Sequence, residues 1–226
     1  RACVPTTLNM GLLDLQHWRD RLIDEVFAAK AVRQGKAYTD MGCVPTWTCA
    51  PYQGYLTPRF GQQIAWGESN AVVYANSVLG ARTNRYGDYM DICAAVTGRV
   101  GRLGLHLSEN RRGQILVRLR GFGAGDFDRE TFYPALGHLL GPLAGEKVPV
   151  IEGLPPVVGE DRLKALGAAA ASSSSIALFH AVGLTPEAPT LQAALHDRPA
   201  ERTVDVTPAD LAAALADLST AAEGDQ

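Results

Sequence analysis

The chain has 226 residues, 46% of them hydrophobic and 20% charged, with a formal net charge of -3, which is enough to bury a core as one large domain or two small ones. No apolar run approaches the about 20 residues of a membrane-crossing helix, and no basic block suggests a nucleic acid, so both kinds of partner are disfavoured. Cysteines at positions 3, 43, 49 and 93 form no CxxC pair, and the composition is not that of a small disulfide scaffold. Reduced thiols with no charged-then-apolar leader before Cys3 point to the cytoplasm, and an opening on Arg1 reads as a chain whose beginning lies elsewhere.

In chain order, Thr6, Thr7 and Asn9 follow Pro5 in a short polar turn, suited either to cap a helix near Leu12 or to present hydroxyl and amide groups to a carboxylate. Leu15, Trp18, Leu22, Val26 and Ala29 recur at three- and four-residue spacings, which predicts an amphipathic helix over 12–32. From 36 to 63 the period dissolves into Gly, Pro, Thr and aromatic residues, the make-up of a long ordered loop. Inside it Pro51 restrains the backbone beside Cys49, so that a thiolate there can be aimed into a cleft; taken alone, a buried inert cysteine is the plainer reading.

Two helices are predicted next, over 68–81 and 89–97, the second ended by Gly98. Ser69, Asn70, Asn76 and Ser77 interrupt the apolar Val72, Val73, Val78 and Leu79 of the first, and buried polar groups need partners or a ligand. Arg82 and Arg85 close that helix and are suited to grip a carboxylate through charge-assisted bonds. Cys93, between Ile92 and Ala94, is balanced between packing and a site role. His106 and Glu109 are candidates for a general base or for a salt-bridged connection.

The second half changes rhythm: strand over 114–120, helix over 129–140, strand over 148–151, helix over 161–171, strand over 176–182, short helix over 191–196 and strand over 203–206. A last helix starts at Thr207 as cap with Pro208 in its first turn. Such alternation argues for α/β layers. His180 reads as a core histidine, Ser172 to Ser175 as a loop at a strand start, and residues 219–226 as a disordered tail. The chain thus divides into a motif-rich region, 1–112, and an α/β subdomain, 113–218.

The run WGESNAVVYANSVLGARTNRYGD at 66–88 occurs in order with VPTTLN, TCAPY, TGR, GLHL with ENR, and ALFH with GLTPEA. This set resembles the aconitase X family, the dehydratase branch of the aconitase superfamily. The resemblance implies a layered α/β aconitase-like catalytic domain, incomplete here because the family's swivelling domain has no counterpart. It implies a hydro-lyase acting on cis-3-hydroxy-L-proline to give Δ1-pyrroline-2-carboxylate, the type that TCAPYQ and RYGDYMDICAAVTGR favour, or on mevalonate 5-phosphate as in two-subunit members. An iron–sulfur cluster beside the substrate would follow, with 2Fe–2S one candidate form, Cys49 the first-choice ligand and Cys93 the second.

On that reading Arg82 and Arg85 orient the carboxylate, while Ser69, Asn70, Asn76 and Ser77, with Thr6, Thr7 and Asn9, hold the rest of a small carboxylate substrate. A separate swivel-domain chain is the implied partner. A different class of reading is a catalytically silent α/β module that binds a partner or a carboxylate ligand.

Overall fold

The computed structural model describes residues 1–9, 13–14, 16–87 and 89–218. The expectation of a disordered tail over 219–226 lies outside them. In the first half Thr7–Leu8 (β1) pairs in parallel with Val44–Pro45 (β2). Three helices follow the chain: α1 (Glu25–Asp40), α2 (Ser69–Ser77) and α3 (Met90–Thr97). Gly98 ends α3 in the left-handed region, at φ 64°, as the sequence suggested.

The helix predicted over 12–32 is displaced. Its start at Leu12 and the apolar position Leu15 lie outside the described residues, Trp18–Arg21 form one 3-10 turn, and Leu22 is left-handed at φ 52° and fully exposed. The helix that does form begins after Asp24, whose carboxylate accepts from the Phe27 amide at 2.8 Å, and continues to Asp40, held there by Lys36 at 2.8 Å one turn earlier. The apolar period ran across this break because a spacing pattern carries no information about φ.

The second half is a four-stranded parallel sheet of Ile115–Leu119 (β3), Pro149–Glu152 (β4), His180–Ala181 (β5) and Arg202–Val206 (β6), in the order β5-β4-β3-β6. Its helices are Ala124–Phe127 (α4), Phe132–Ala144 (α5), Glu160–Ser173 (α6), Leu191–Ala194 (α7) and Pro208–Leu218 (α8). Ile115, Val117 and Leu119 alternate onto one face of the sheet, against buried residues of α5, α6 and α8, with Val73 of α2 in the same cluster. Leu116 and Val150 face the other way, against Ala188, Ala194 and Leu195. Covering on both faces is why the central strands read as nearly continuous apolar runs. No described helix is long and apolar enough to cross a membrane.

The strand expected over 176–182 shortens to two residues for a specific reason. Ahead of β5, the Ala177 carbonyl accepts from Asn76 Nδ2 at 2.8 Å and the Phe179 amide donates to Ser77 Oγ at 2.9 Å. Side chains on α2 thus take backbone groups that a neighbouring strand would otherwise pair.

Helices α5 and α6 approach closely because Gly137 and Gly141, one turn apart, present bare backbone. A β-carbon on Gly137 would overlap the Leu166 carbonyl oxygen and sit 2.9 Å from Ala169 Cβ. Gly137→Ala should therefore destabilise the fold by about 1–3 kcal/mol, the backbone clash outweighing the gain of about 1 kcal/mol in helix propensity. Urea unfolding checks this, and an unchanged or raised midpoint would show that the helices can separate freely.

Candidate functional site

A cavity of about 740 Å³ opens in the first half of the chain. Its walls are the segment around β1, the turn carrying Cys49, the strand-like run from Gln62 to Glu68, one face of α3 and the turn after Gly98. It does not lie at the point between β3 and β6 where the order of the parallel sheet reverses, the usual ligand position in doubly wound folds.

Cys49 is placed by an aromatic clamp. Tyr52 is 5% exposed and stacks on Tyr74 of α2 at 4.2 Å between ring centroids, while its hydroxyl donates to Asn70 Oδ1 at 3.1 Å. Burial, chiefly, pushes the Tyr52 phenol up to about 12, so it remains a neutral donor. Asn70 Nδ2 then reaches the Cys49 carbonyl at 3.4 Å and Glu68 Oε1 at 3.3 Å, so Asn70 braces the turn. The exposed Cys49 sulfur accepts from Asn9 Nδ2 at 3.1 Å, and both residues line the cavity with Thr6 and Thr7.

The other residues singled out in the sequence fall elsewhere. Asn76 is fully buried: its Nδ2 donates to the Thr83 and Ala177 carbonyls, and its Oδ1 accepts from the Thr83 amide and Arg111 Nη1. Ser77 serves the Phe179 amide, and neither side chain lines the cavity. Arg85 ties the Ser174 carbonyl at 3.0 Å to Ser69 Oγ at 2.8 Å, and Arg82 Nη1 donates to the His106 carbonyl at 3.3 Å. These two guanidinium groups and Ser69 stand in the frame and are not on the cavity wall. Glu109 is exposed and also lies off the cavity wall.

His106 is buried with both ring nitrogens engaged, Nδ1 at 2.6 Å from Gln63 Oε1 and Nε2 at 2.6 Å from Tyr86 Oη. Burial first, then Arg111 and Arg82, lowers its pKa and keeps it neutral. It reaches the cavity only through Gln63.

Three charged residues on the wall were not singled out from the sequence. Arg99 is the one arginine or lysine among the described lining residues, and Glu68 and Asp91 are the acidic ones. Asp91 opens α3, with its Oδ1 at 2.7 Å from the Ile92 amide, and its Oδ2 would lie 3.8 Å from a β-carbon on Gly67. All three occur inside the motifs already quoted, Arg99 directly after the left-handed Gly98, so the signal was present but could not be separated from its neighbours.

Iron–sulfur clusters need about three or four thiolates converging on one place. Here Cys49 lines the cavity and is exposed, Cys43 lines it but is buried, and Cys93 is exposed but not on its wall. Burial, followed by the charge of Asp91, raises the Cys43 pKa and favours the neutral thiol. No group of three His, Cys, Asp or Glu side chains able to hold a metal occurs among the described residues. The residues present therefore do not form a cluster site by themselves.

A family profile described as the aconitase X first domain matches residues 1–109, and one described as the aconitase X second domain matches residues 113–216. The chain belongs to the aconitase X family. A "Cis-3-hydroxy-L-proline dehydratase" of Pseudomonas aeruginosa is 45% identical over 224 residues, 99% of this chain and 38% of that protein. Its namesake from Hypocrea jecorina is 48% identical over 199 residues, 88% of this chain and 33% of that protein. A "Phosphomevalonate dehydratase large subunit" of Methanothermobacter thermautotrophicus is 45% identical over 81% of this chain and 45% of its own length. The crystal structure of Thermococcus kodakaraensis aconitase X in a holo-form superposes with a TM-score of 0.79 at 37% identity, over 94% of this chain and 50% of that one. The chain thus spans less than half the length of these curated relatives.

Alkylation tests the cysteine environments directly. Under native conditions iodoacetamide should label Cys3, Cys49 and Cys93, whereas Cys43, 5% exposed, should react only after denaturation. Peptide mass mapping reads the order, and early labelling of Cys43 would contradict the cavity wall described here.

Proposed function

We propose that this chain carries the substrate cavity of a hydro-lyase acting on cis-3-hydroxy-L-proline. The observation that carries the reading is the grouping of Arg99, Glu68, Asp91, Thr6, Thr7, Asn9 and Cys49 on one cavity. The high identity to dehydratases of that substrate supports it.

The chemistry matches the residue types. A base removes the proton beside the carboxylate, hydroxide leaves the neighbouring carbon with a proton from an acid, and the resulting enamine tautomerises to Δ1-pyrroline-2-carboxylate. Arg99 holds the substrate carboxylate through charge-assisted bonds and stabilises the charge that develops as the proton leaves. Glu68 and Asp91 supply the proton transfers. Thr6, Thr7 and Asn9 bind the ring nitrogen and hydroxyl. Cys49 offers one thiolate towards an iron centre whose remaining ligands would come from outside this chain.

Mevalonate 5-phosphate is the second reading, supported by the archaeal large subunits. It would bring a phosphate dianion in addition to a carboxylate to a wall with Arg99 as its one described arginine or lysine, so the smaller monocarboxylate fits the charge better. A separate swivel-domain chain, as the word "subunit" in those relatives suggests, and a cytoplasmic setting, in keeping with four free cysteines, complete the proposal.

Isothermal titration of the chain with cis-3-hydroxy-L-proline tests it. Arg99→Gln should weaken binding about tenfold or more, the worth of a charge-assisted pair at about 1.5–3 kcal/mol, and mevalonate 5-phosphate should bind more weakly than hydroxyproline. Equal affinity of wild type and Arg99→Gln, with the fold intact by circular dichroism, would refute the assignment of Arg99.

A further inference from the structure

The hydrogen bonds behind Gln63 have fixed directions, because the chain of contacts ends on backbone groups that can only donate or only accept. At one end the Leu105 amide donates to Asn84 Oδ1 at 2.8 Å, so the Asn84 nitrogen is its outward donor, lying 3.5 Å from Tyr86 Oη. Tyr86 Oη can accept there, which leaves its own proton free to turn to His106 Nε2 at 2.6 Å. A neutral His106 with Nε2 as acceptor carries its proton on Nδ1, which donates to Gln63 Oε1 at 2.6 Å.

The other end agrees independently. Gln63 Nε2 lies 3.3 Å from the His106 carbonyl, which can only accept, so the amide nitrogen faces that oxygen and Oε1 faces the ring. The second N–H of Gln63 Nε2 has no acceptor among the described residues, and Gln63 lines the cavity. The adjacent backbone is also fixed, since Gln63 bridges Arg82 in parallel register and the Ile64 amide donates to the Arg82 carbonyl at 3.0 Å.

We infer that Gln63 is a substrate-contacting residue that offers one amide N–H to an anionic oxygen of the ligand, and that His106 is a positioning residue that locks this amide through the Asn84–Tyr86–His106–Gln63 relay. This rests on the dehydratase reading of the cavity. It reassigns His106 from proton transfer to orientation: a histidine whose two nitrogens are held by an amide and a phenol sets which way Gln63 faces. The ligand class is a small carboxylate, whose oxygens accept but do not donate.

The test uses the whole chain and pyrrole-2-carboxylate, a planar ring carboxylate that cannot be dehydrated. Nitrogen-15 NMR of the histidine rings should find His106 neutral with the proton on Nδ1, and the Gln63 side-chain amide signals should shift when the probe is added. Gln63→Glu, which replaces the N–H with an acceptor of the same shape, should lower affinity about tenfold or more, because it leaves the carboxylate facing a like charge. Tyr86→Phe removes the donor to Nε2 and should weaken binding by a smaller factor, with the proton staying on Nδ1 while the Nε2 nitrogen-15 signal moves to that of an acceptor without a hydrogen bond, a spectroscopic change that a loss of packing alone would not produce.

An Nε2–H tautomer in the wild-type chain would overturn the relay. Probe binding that is insensitive to Gln63→Glu would overturn the role of Gln63 while leaving the dehydratase reading standing. A folded wild-type chain that binds neither the probe nor cis-3-hydroxy-L-proline would instead overturn the dehydratase reading, and with it the ligand assigned to Gln63.

Discussion

Arg111 is fully buried, and its guanidinium group is the most demanding object in the molecule. A charge taken out of water costs several kcal/mol unless its hydrogen-bonding capacity is matched. Here it is matched on every side: Nε and Nη2 donate to the Glu187 carboxylate, Nη1 to Asn76 Oδ1 and the Leu105 carbonyl, and Nη2 also to the Asn76 carbonyl. The Arg111 carbonyl in turn accepts from His180 Nε2 at 2.7 Å. A carbonyl can only accept, so His180 carries its proton on that nitrogen, and its burial, first of all, lowers its pKa and keeps the ring neutral.

From this centre the constraint spreads to the cavity. Asn76 is held by Arg111 and itself holds both the amide and the carbonyl of Thr83. Thr83 sits between Arg82, which pairs with Gln63 at the cavity wall, and the segment carrying Asn84 and Tyr86, which direct His106. On the other side Asn76 and Ser77 take the backbone of Ala177 and Phe179 and so join α2 to the entry of the parallel sheet. The polar run in α2 is thus an internal scaffold with a surface role at one end only, where Asn70 braces Cys49.

The parallel half of the fold was readable because its elements announce themselves separately: apolar runs of strand length, then helices with caps such as Thr207. Where the reading slipped, the deciding information was non-local. Leu22 breaks the first helix through its backbone conformation, and the strand over 176–182 lost pairing to side chains about a hundred positions earlier in the chain. The site shows the same division. Thr6, Thr7, Asn9 and Cys49 do meet on one cavity, although Thr7 lies in the strand β1 paired with Val44 and not in the polar turn that the sequence suggested. Arg82, Arg85, Asn76 and Ser77 have the chemistry of ligand-binding residues but are engaged by partners inside the protein, and residue type alone cannot tell a guanidinium facing a carbonyl from one facing a substrate. Arg99, Glu68 and Asp91 went unselected for the converse reason, since an ordinary exposed charge becomes notable only when a cavity is seen beside it.

The measurement that bears most directly on this account is residue-resolved amide hydrogen exchange in Arg111→Lys, which keeps the charge but removes the fork that reaches Glu187 and Asn76 together. The expected result is faster exchange at the Thr83 and Phe179 amides, which donate to Asn76 and Ser77, with the amides of the β3–β4 ladder unchanged. Exchange unchanged at Thr83 and Phe179, or accelerated to the same extent throughout the sheet, would contradict the claim that the buried guanidinium organises the frame around the cavity.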